Sequence, residues 1–136
     1  MRFIIRSRKA DSPQQPRRPP PRLEPLTLAH SIVEALEDKK GGDILLLDLK
    51  NVGPIGEYYV ICSGSSERTL KALMDAVAED TSKKYRLKPR LEGRPSEGWL
   101  LADYGSVIVH VFSHSQRDYY RLEELWSAAK VLLHLQ

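Results

Sequence analysis

The sequence predicts one α/β domain over residues 26–136, preceded by a Pro/Arg-rich arm at residues 1–25. The expected architecture is a mixed five-stranded sheet with flanking helices, in the order αββαβββα. Three observations lead there. Two stretches carry apolar residues at helical spacing, one around Ile32 and one around Leu73. An aliphatic run at residues 44–49 suits a strand covered on both faces. Two β-rich runs meet at Gly105-Ser106, as in a tight hairpin. The order has no regular βαβ repeat, so the sheet is expected to be mixed, with helices packed on it.

The arm comes first. It holds six of the nine prolines, including Pro19-Pro20-Pro21. Proline has no N–H and disfavours a helical residue before it, so the stretch is expected to be extended or disordered. The arm also explains the charge. Residues 1–25 hold seven basic side chains against Asp11 and Glu24, giving +5, whereas the remainder holds 14 basic against 16 acidic, giving −2. The domain itself therefore lacks a global basic field of the kind that drives nucleic-acid binding.

A helix is expected to begin near Thr27, a residue able to cap a first turn. Leu28, Ile32 and Leu36 recur along one stripe, and Gly41-Gly42 should end the helix. The strand at residues 44–49 follows. Residues 50–57 form a loop, and residues 58–63 a second strand. Ser63-Gly64-Ser65-Ser66 turns into the longest helix, residues 66–84, with Leu70, Leu73, Met74, Val77 and Thr81 as its buried stripe. A short strand at residues 88–92 and a turn at residues 94–97 precede the hairpin of residues 99–104 and 107–113. Residues 117–135 read as a closing helix, with Tyr120, Leu122, Leu125, Trp126 and Ala129 as apolar positions.

The residue content narrows the chemistry. Cys62 is the single cysteine, so no internal disulfide or cysteine-cluster metal site forms, and a reducing intracellular setting is expected. The apolar runs are far shorter than the roughly 20 residues that cross a bilayer. Phe3-Ile4-Ile5 is too short for the apolar core of a secretory signal. The reading is a cytoplasmic protein with no membrane partner, with an organellar setting left open. The turn at residues 63–66 could offer backbone N–H groups to a phosphate, but it lacks a phosphate-loop pattern. A serine cap explains it. Glu57 and Glu67 stand alone, without the paired carboxylates of a two-metal centre. His30, His110, His114 and His134 do not converge, and Cys62 lies in an apolar strand where a buried thiol is ordinary. Asp43, Asp48 and Asp103 sit at strand ends, where turn roles account for them. No catalytic residue, metal or cofactor is predicted.

The hairpin is more informative. A two-residue turn places opposite residues on one face. Leu100, Ala102, Tyr104, Val107, Val109 and Val111 form an aliphatic set fit for a core. Trp99, Leu101, Asp103, Ile108, His110 and Phe112 form the other set, which mixes aromatics with polar tips as interface cores do. Either another helix of the same chain covers this second face or a partner does; with only three helices for the two faces of a five-stranded sheet, part of it is expected to stay open for a protein partner.

Gly98-Trp99-Leu100-Leu101-Ala102-Asp103-Tyr104-Gly105, followed by Val107-Ile108-Val109-His110-Val111-Phe112, resembles the signature of the ribosomal silencing factor family (RsfS, or Iojap-like). Glu37-Asp38-Lys39-Lys40 with Asp43-Ile44 is similar to that family's first helix-to-strand junction. Residues 58–68 and 119–126 are similar to its strand-to-helix turn and closing helix. The resemblance implies a non-catalytic factor with a nucleotidyltransferase-like fold lacking the catalytic carboxylates. It implies binding to the large ribosomal subunit through its L-fourteen protein, a steric block of subunit joining and repression of translation when nutrients are scarce. A role in large-subunit assembly is implied by the organellar relatives. By motif, Trp99, Asp103 and Tyr104 are the expected contacts; Leu101 and His110 join them from the face argument, and Arg68 and Lys71 from the long helix. Contact of the arm with ribosomal RNA and a homodimer of the free protein stay open. So do two other readings: an enzyme acting on nucleotides or phosphate esters at residues 63–66, and an RNA-binding protein using the arginine arm.

Overall fold

The computed structural model describes residues 23–52, 56–121 and 129–136. Helix α1 spans Pro25–Asp38. It starts two residues ahead of Thr27 because Pro25 occupies the first turn, where its missing N–H costs nothing, and the extended Glu24 precedes it without a side-chain cap. Leu23 already packs against the core. At the other end Lys40, not a glycine, takes the left-handed conformation, with φ 61°. Gly41 is needed for space instead: a Cβ there would press on the Cys62 Sγ and the Leu36 carbonyl.

Strands β1 (Gly42–Asp48) and β2 (Tyr58–Gly64) pair antiparallel. Helix α2 (Glu67–Tyr85) follows, and its buried residues are Leu70, Leu73, Met74, Val77 and Thr81, the stripe that helical spacing predicts. Ser66 caps it, its hydroxyl accepting from the Thr69 N–H at 3.1 Å. Next come β3 (Arg90–Arg94), a single 3-10 turn (Pro95–Glu97), β4 (Trp99–Asp103) and β5 (Val107–Ser113). Helix α3 covers only His114–Tyr120, and Lys130–Leu135 forms a sixth strand, β6.

The last element corrects two expectations. The sheet has six strands, in the order β3-β4-β5-β2-β1-β6, and the closing segment is not one long helix. Arg121 ends α3 in the left-handed conformation. The run Lys130–Leu135 then pairs antiparallel with β1, placing Leu135 opposite Ile44 and Leu133 opposite Leu46. An apolar run this short fits a helix or a strand by periodicity alone, and the unpaired edge of β1 decides between them. Leu122, Leu125 and Trp126 lie outside the described residues, as do residues 1–22 of the arm.

The sheet is mixed: β2 and β5 run parallel at its centre, and every other pair is antiparallel. Helices α1 and α2 cover one face, over a core that includes Ile32, Leu36, Val60, Leu73, Val109 and Val111. The other face carries Leu45, Leu47, Tyr59, Ile61, Ile108 and Phe112. Its centre is buried too, with Ile61 and Phe112 almost wholly inaccessible. The open area shrinks to the margins of the sheet: β4 with the edge strand β3, whose five residues are all exposed, and the opposite edge strand β6, where Val131 is exposed.

Candidate docking face

The β4–β5 hairpin has the register that a two-residue turn dictates: Trp99 faces Phe112, Leu101 faces His110 and Asp103 faces Ile108. Trp99, Leu101, Asp103 and His110 thus share a face. Along β4, Leu100 and Ala102 are buried while Trp99, Leu101 and Asp103 stay half-buried. Gly93 on β3 lies beside Trp99 with φ 91°, and a Cβ there would collide with the Trp99 carbonyl. Beside this close approach lies a groove of about 170 Å³ lined by Glu92, Gly93, Trp99 and Leu101.

Trp99 is held from several sides. Its indole N–H donates to His110 Nδ1 at 3.2 Å. Its ring stacks on Phe112 at 5.2 Å between centroids and meets Tyr120 at 4.8 Å. His110 lies behind it, 4% exposed, with Tyr59 at 4.8 Å. Burial drives the His110 pKa down from its ordinary 6.5 to about 4, so the ring is neutral near pH 7. Asp103 closes the hairpin turn, accepting from the Gly105 N–H at 2.7 Å and from Arg90 at 3.1 Å. The Gly105 bond, then Arg90, hold its carboxyl below the usual range.

The remaining expected contacts are placed elsewhere. Tyr104 belongs to the opposite face, where its hydroxyl and Thr81 Oγ1 are 2.7 Å apart. Burial raises its pKa despite that bond. Arg68 and Lys71 are exposed on α2, also on that side. Lys71 pairs with Asp75 at 2.9 Å. It also lines a second groove, of about 190 Å³, whose walls include Leu91, Gly93 and Leu101. Trp99, Leu101, Asp103 and His110 therefore share one face, with Asp103 at its hairpin end; Lys71 reaches the groove at Leu101 around the sheet edge, and Tyr104 stands behind.

Sequence reasoning assigned Tyr120 to a helix core, yet it joins the aromatic cluster, and Tyr119 beside it is 78% exposed. Two adjacent tyrosines in a short polar segment were the available signal. Leu91, 56% exposed on the edge strand, was also missed. Arg117 is a third omission. It is buried, with Nη1 donating to the Asp43 carbonyl at 2.5 Å and to Ser63 Oγ at 2.8 Å. It ties α3 to the starts and ends of two strands, beneath the serine turn. Burial raises the Cys62 thiol to about 12, leaving little thiolate for nucleophilic chemistry. Among the described residues, no helix is long and apolar enough to cross a membrane.

Comparison with known proteins agrees with this architecture. The family model described as "Ribosomal silencing factor during starvation" matches residues 22–135. A Bacillus subtilis protein named ribosomal silencing factor RsfS is 35% identical over 95 residues, which is 70% of this chain and 80% of the relative. A mouse protein named for mitochondrial assembly of the ribosomal large subunit is 30% identical, over 71% of this chain but 43% of its own length. A crystal structure of a Chromobacterium violaceum protein superposes with a TM-score of 0.73 at 35% identity, covering 77% of this chain and 88% of that one. A match along nearly the whole described domain, with the same α/β fold in a solved relative, establishes that the chain belongs to the ribosomal silencing factor family.

Proposed function

We propose that this protein is a non-catalytic cytoplasmic factor that binds the large ribosomal subunit through its L-fourteen protein. Occupying that face blocks the small subunit sterically and represses translation under starvation, with a further role in large-subunit assembly. Family membership supports the ribosome as target, and the mouse relative's name supports the large subunit. The observation that carries the docking reading is Trp99. It is a large aromatic side chain kept half-exposed at a sheet edge, in a rigid frame, beside a groove. Interface anchors have this character: a preordered aromatic costs little entropy to immobilise. The sheet is read as a nucleotidyltransferase-like scaffold used for its surface. Lys71, which reaches the groove around the sheet edge, is proposed as a contact at the rim, and the arm as a contact with ribosomal RNA.

The test is co-sedimentation with purified ribosomal particles. The protein should travel with isolated large subunits and be absent from joined ribosomes. Trp99→Ala should weaken large-subunit binding by about 2 kcal/mol, roughly thirtyfold in Kd, with the far-ultraviolet circular dichroism spectrum unchanged. Undiminished binding by a folded Trp99→Ala variant would move the docking face elsewhere.

A further inference from the structure

On the basis of that docking reading, we infer that His110 is a positioning residue for Trp99: one fixed tautomer of a buried imidazole locks the indole so that the face offers ring carbon, not a hydrogen-bond donor, to the ribosome. The argument begins with donor and acceptor inventories. An indole N–H can only donate. Because the Trp99 N–H points at His110 Nδ1 from 3.2 Å, Nδ1 must present its lone pair. A neutral imidazole then carries its proton on Nε2, and Nε2 is buried without a partner among the described residues. That atom is the cost of the arrangement. An imidazole placed only to fill space would be replaced there by an apolar side chain without loss, since an unpartnered buried N–H is destabilising. Among the described residues, the Nδ1 bond is the polar interaction that makes a histidine useful there.

The consequence for recognition is specific. Stacking on Phe112 and contact with Tyr120 fix the indole plane, but a half-turn about the Cβ–Cγ bond would keep that plane and exchange the nitrogen edge for the opposite one. The bond to His110 removes that freedom and turns the nitrogen edge inward. The accessible part of Trp99 borders the groove with Leu101 and the bare backbone of Gly93, and Glu92 at its margin. A partner group seated there meets carbon. The complement is a large aliphatic or aromatic side chain of the ribosomal protein, not a carbonyl or phosphate oxygen seeking the indole N–H.

Nuclear magnetic resonance on the free, full-length protein reads the lock directly, with the Trp99 signal identified by its loss in Trp99→Phe. The indole proton should exchange slowly with water and show coupling to His110 Nδ1, and the imidazole nitrogen shifts should report a proton on Nε2. Binding to isolated large subunits is measured in parallel. His110→Leu, which removes the acceptor, should speed indole exchange and weaken binding at least about tenfold. His110→Asn places an oxygen where Nδ1 lies and should restore both to within about threefold of the native protein. His110→Gln places its amide toward the Nε2 position and should not. Should the leucine variant fail to fold, the asparagine and glutamine variants still decide. A proton on Nδ1, or equal binding by the asparagine and glutamine variants, overturns the positioning role. If Trp99→Ala binds normally, the docking reading falls and takes the positioning role with it, whereas the hydrogen bond measured in the free protein stands or falls by its own signals.

Discussion

Trp99 and His110 were both named from the sequence as surface contacts, and the structure gives them different work. Alternation along a strand predicts which face a side chain occupies, and it placed both correctly. It does not predict depth. His110 sits at the centre of the face, Trp99 near its edge, and only the second is accessible. Tyr104 shows the same limit, since its hydroxyl is spent on Thr81 from the opposite face. The burial of His110 has a measurable consequence. Its folded pKa, about 4, lies below the ordinary 6.5 expected for the unfolded chain. The unfolded chain therefore binds more protons between these values, and stability is full above pH 6.5 and lost as pH falls towards 4. The loss should reach on the order of 3 kcal/mol. Urea unfolding at pH 7 and pH 4.5, compared between the native protein and His110→Leu, should show a shallower acid loss in the variant; an identical loss would assign the effect to other groups.

At the level of elements, the parts read correctly are those specified by local chemistry. The α2 stripe, its Ser66 cap and the hairpin register follow from spacing, a capping hydroxyl and a two-residue turn. The parts misread depend on partners distant in sequence. Strand β6 is a strand because β1 offers it an edge, and Arg117 matters because three elements converge on it, neither of which composition reveals. The start of β1 illustrates the point. Asp43 has φ 47°, which aspartate tolerates better than most residues, beside an irregularity in the β1–β2 register. That kink turns its carbonyl to Arg117 and its carboxylate to His134. Arg117→Met should therefore cost about 2 kcal/mol, the range for hydrogen bonds to a charged group, as a lower urea midpoint. An unchanged midpoint would mean that the guanidinium's bonds are matched by its desolvation. Gly93→Val should disrupt the β3–β4 edge more locally, lowering large-subunit binding while the protection of β2 and β5 amides from hydrogen exchange persists.

Across the whole molecule, the fold class, the faces and the family were legible, because a mixed α/β pattern and an extended motif survive uncertainty about single elements. The strand count was not. Nor was the extent of open surface, because the second face is buried at its centre rather than left bare. Removing residues 130–136 tests what the sixth strand contributes. It would expose the outer edge of β1, an aliphatic strand with an unsatisfied row of N–H and C=O groups. The expected outcome is concentration-dependent self-association by light scattering, with the Trp99 frame largely preserved on the far side of the sheet. A truncated protein that stays monodisperse would show that β1 needs no such cover.

The parallel pairing of β2 with β5 bears on how the chain reaches this state. Between those two strands lie α2, β3 and β4, so the central ladder cannot form until that whole crossover has been made and folded back. The pairing of β1 with β6 spans an even longer stretch. Such non-local contacts slow folding, because chain closure is lost to entropy before contacts reward it. During synthesis the α1–β1–β2 unit therefore emerges with both sheet edges unpaired, and it must wait for its neighbours. Its unpaired aliphatic strands are the part of the incomplete chain most open to mispairing.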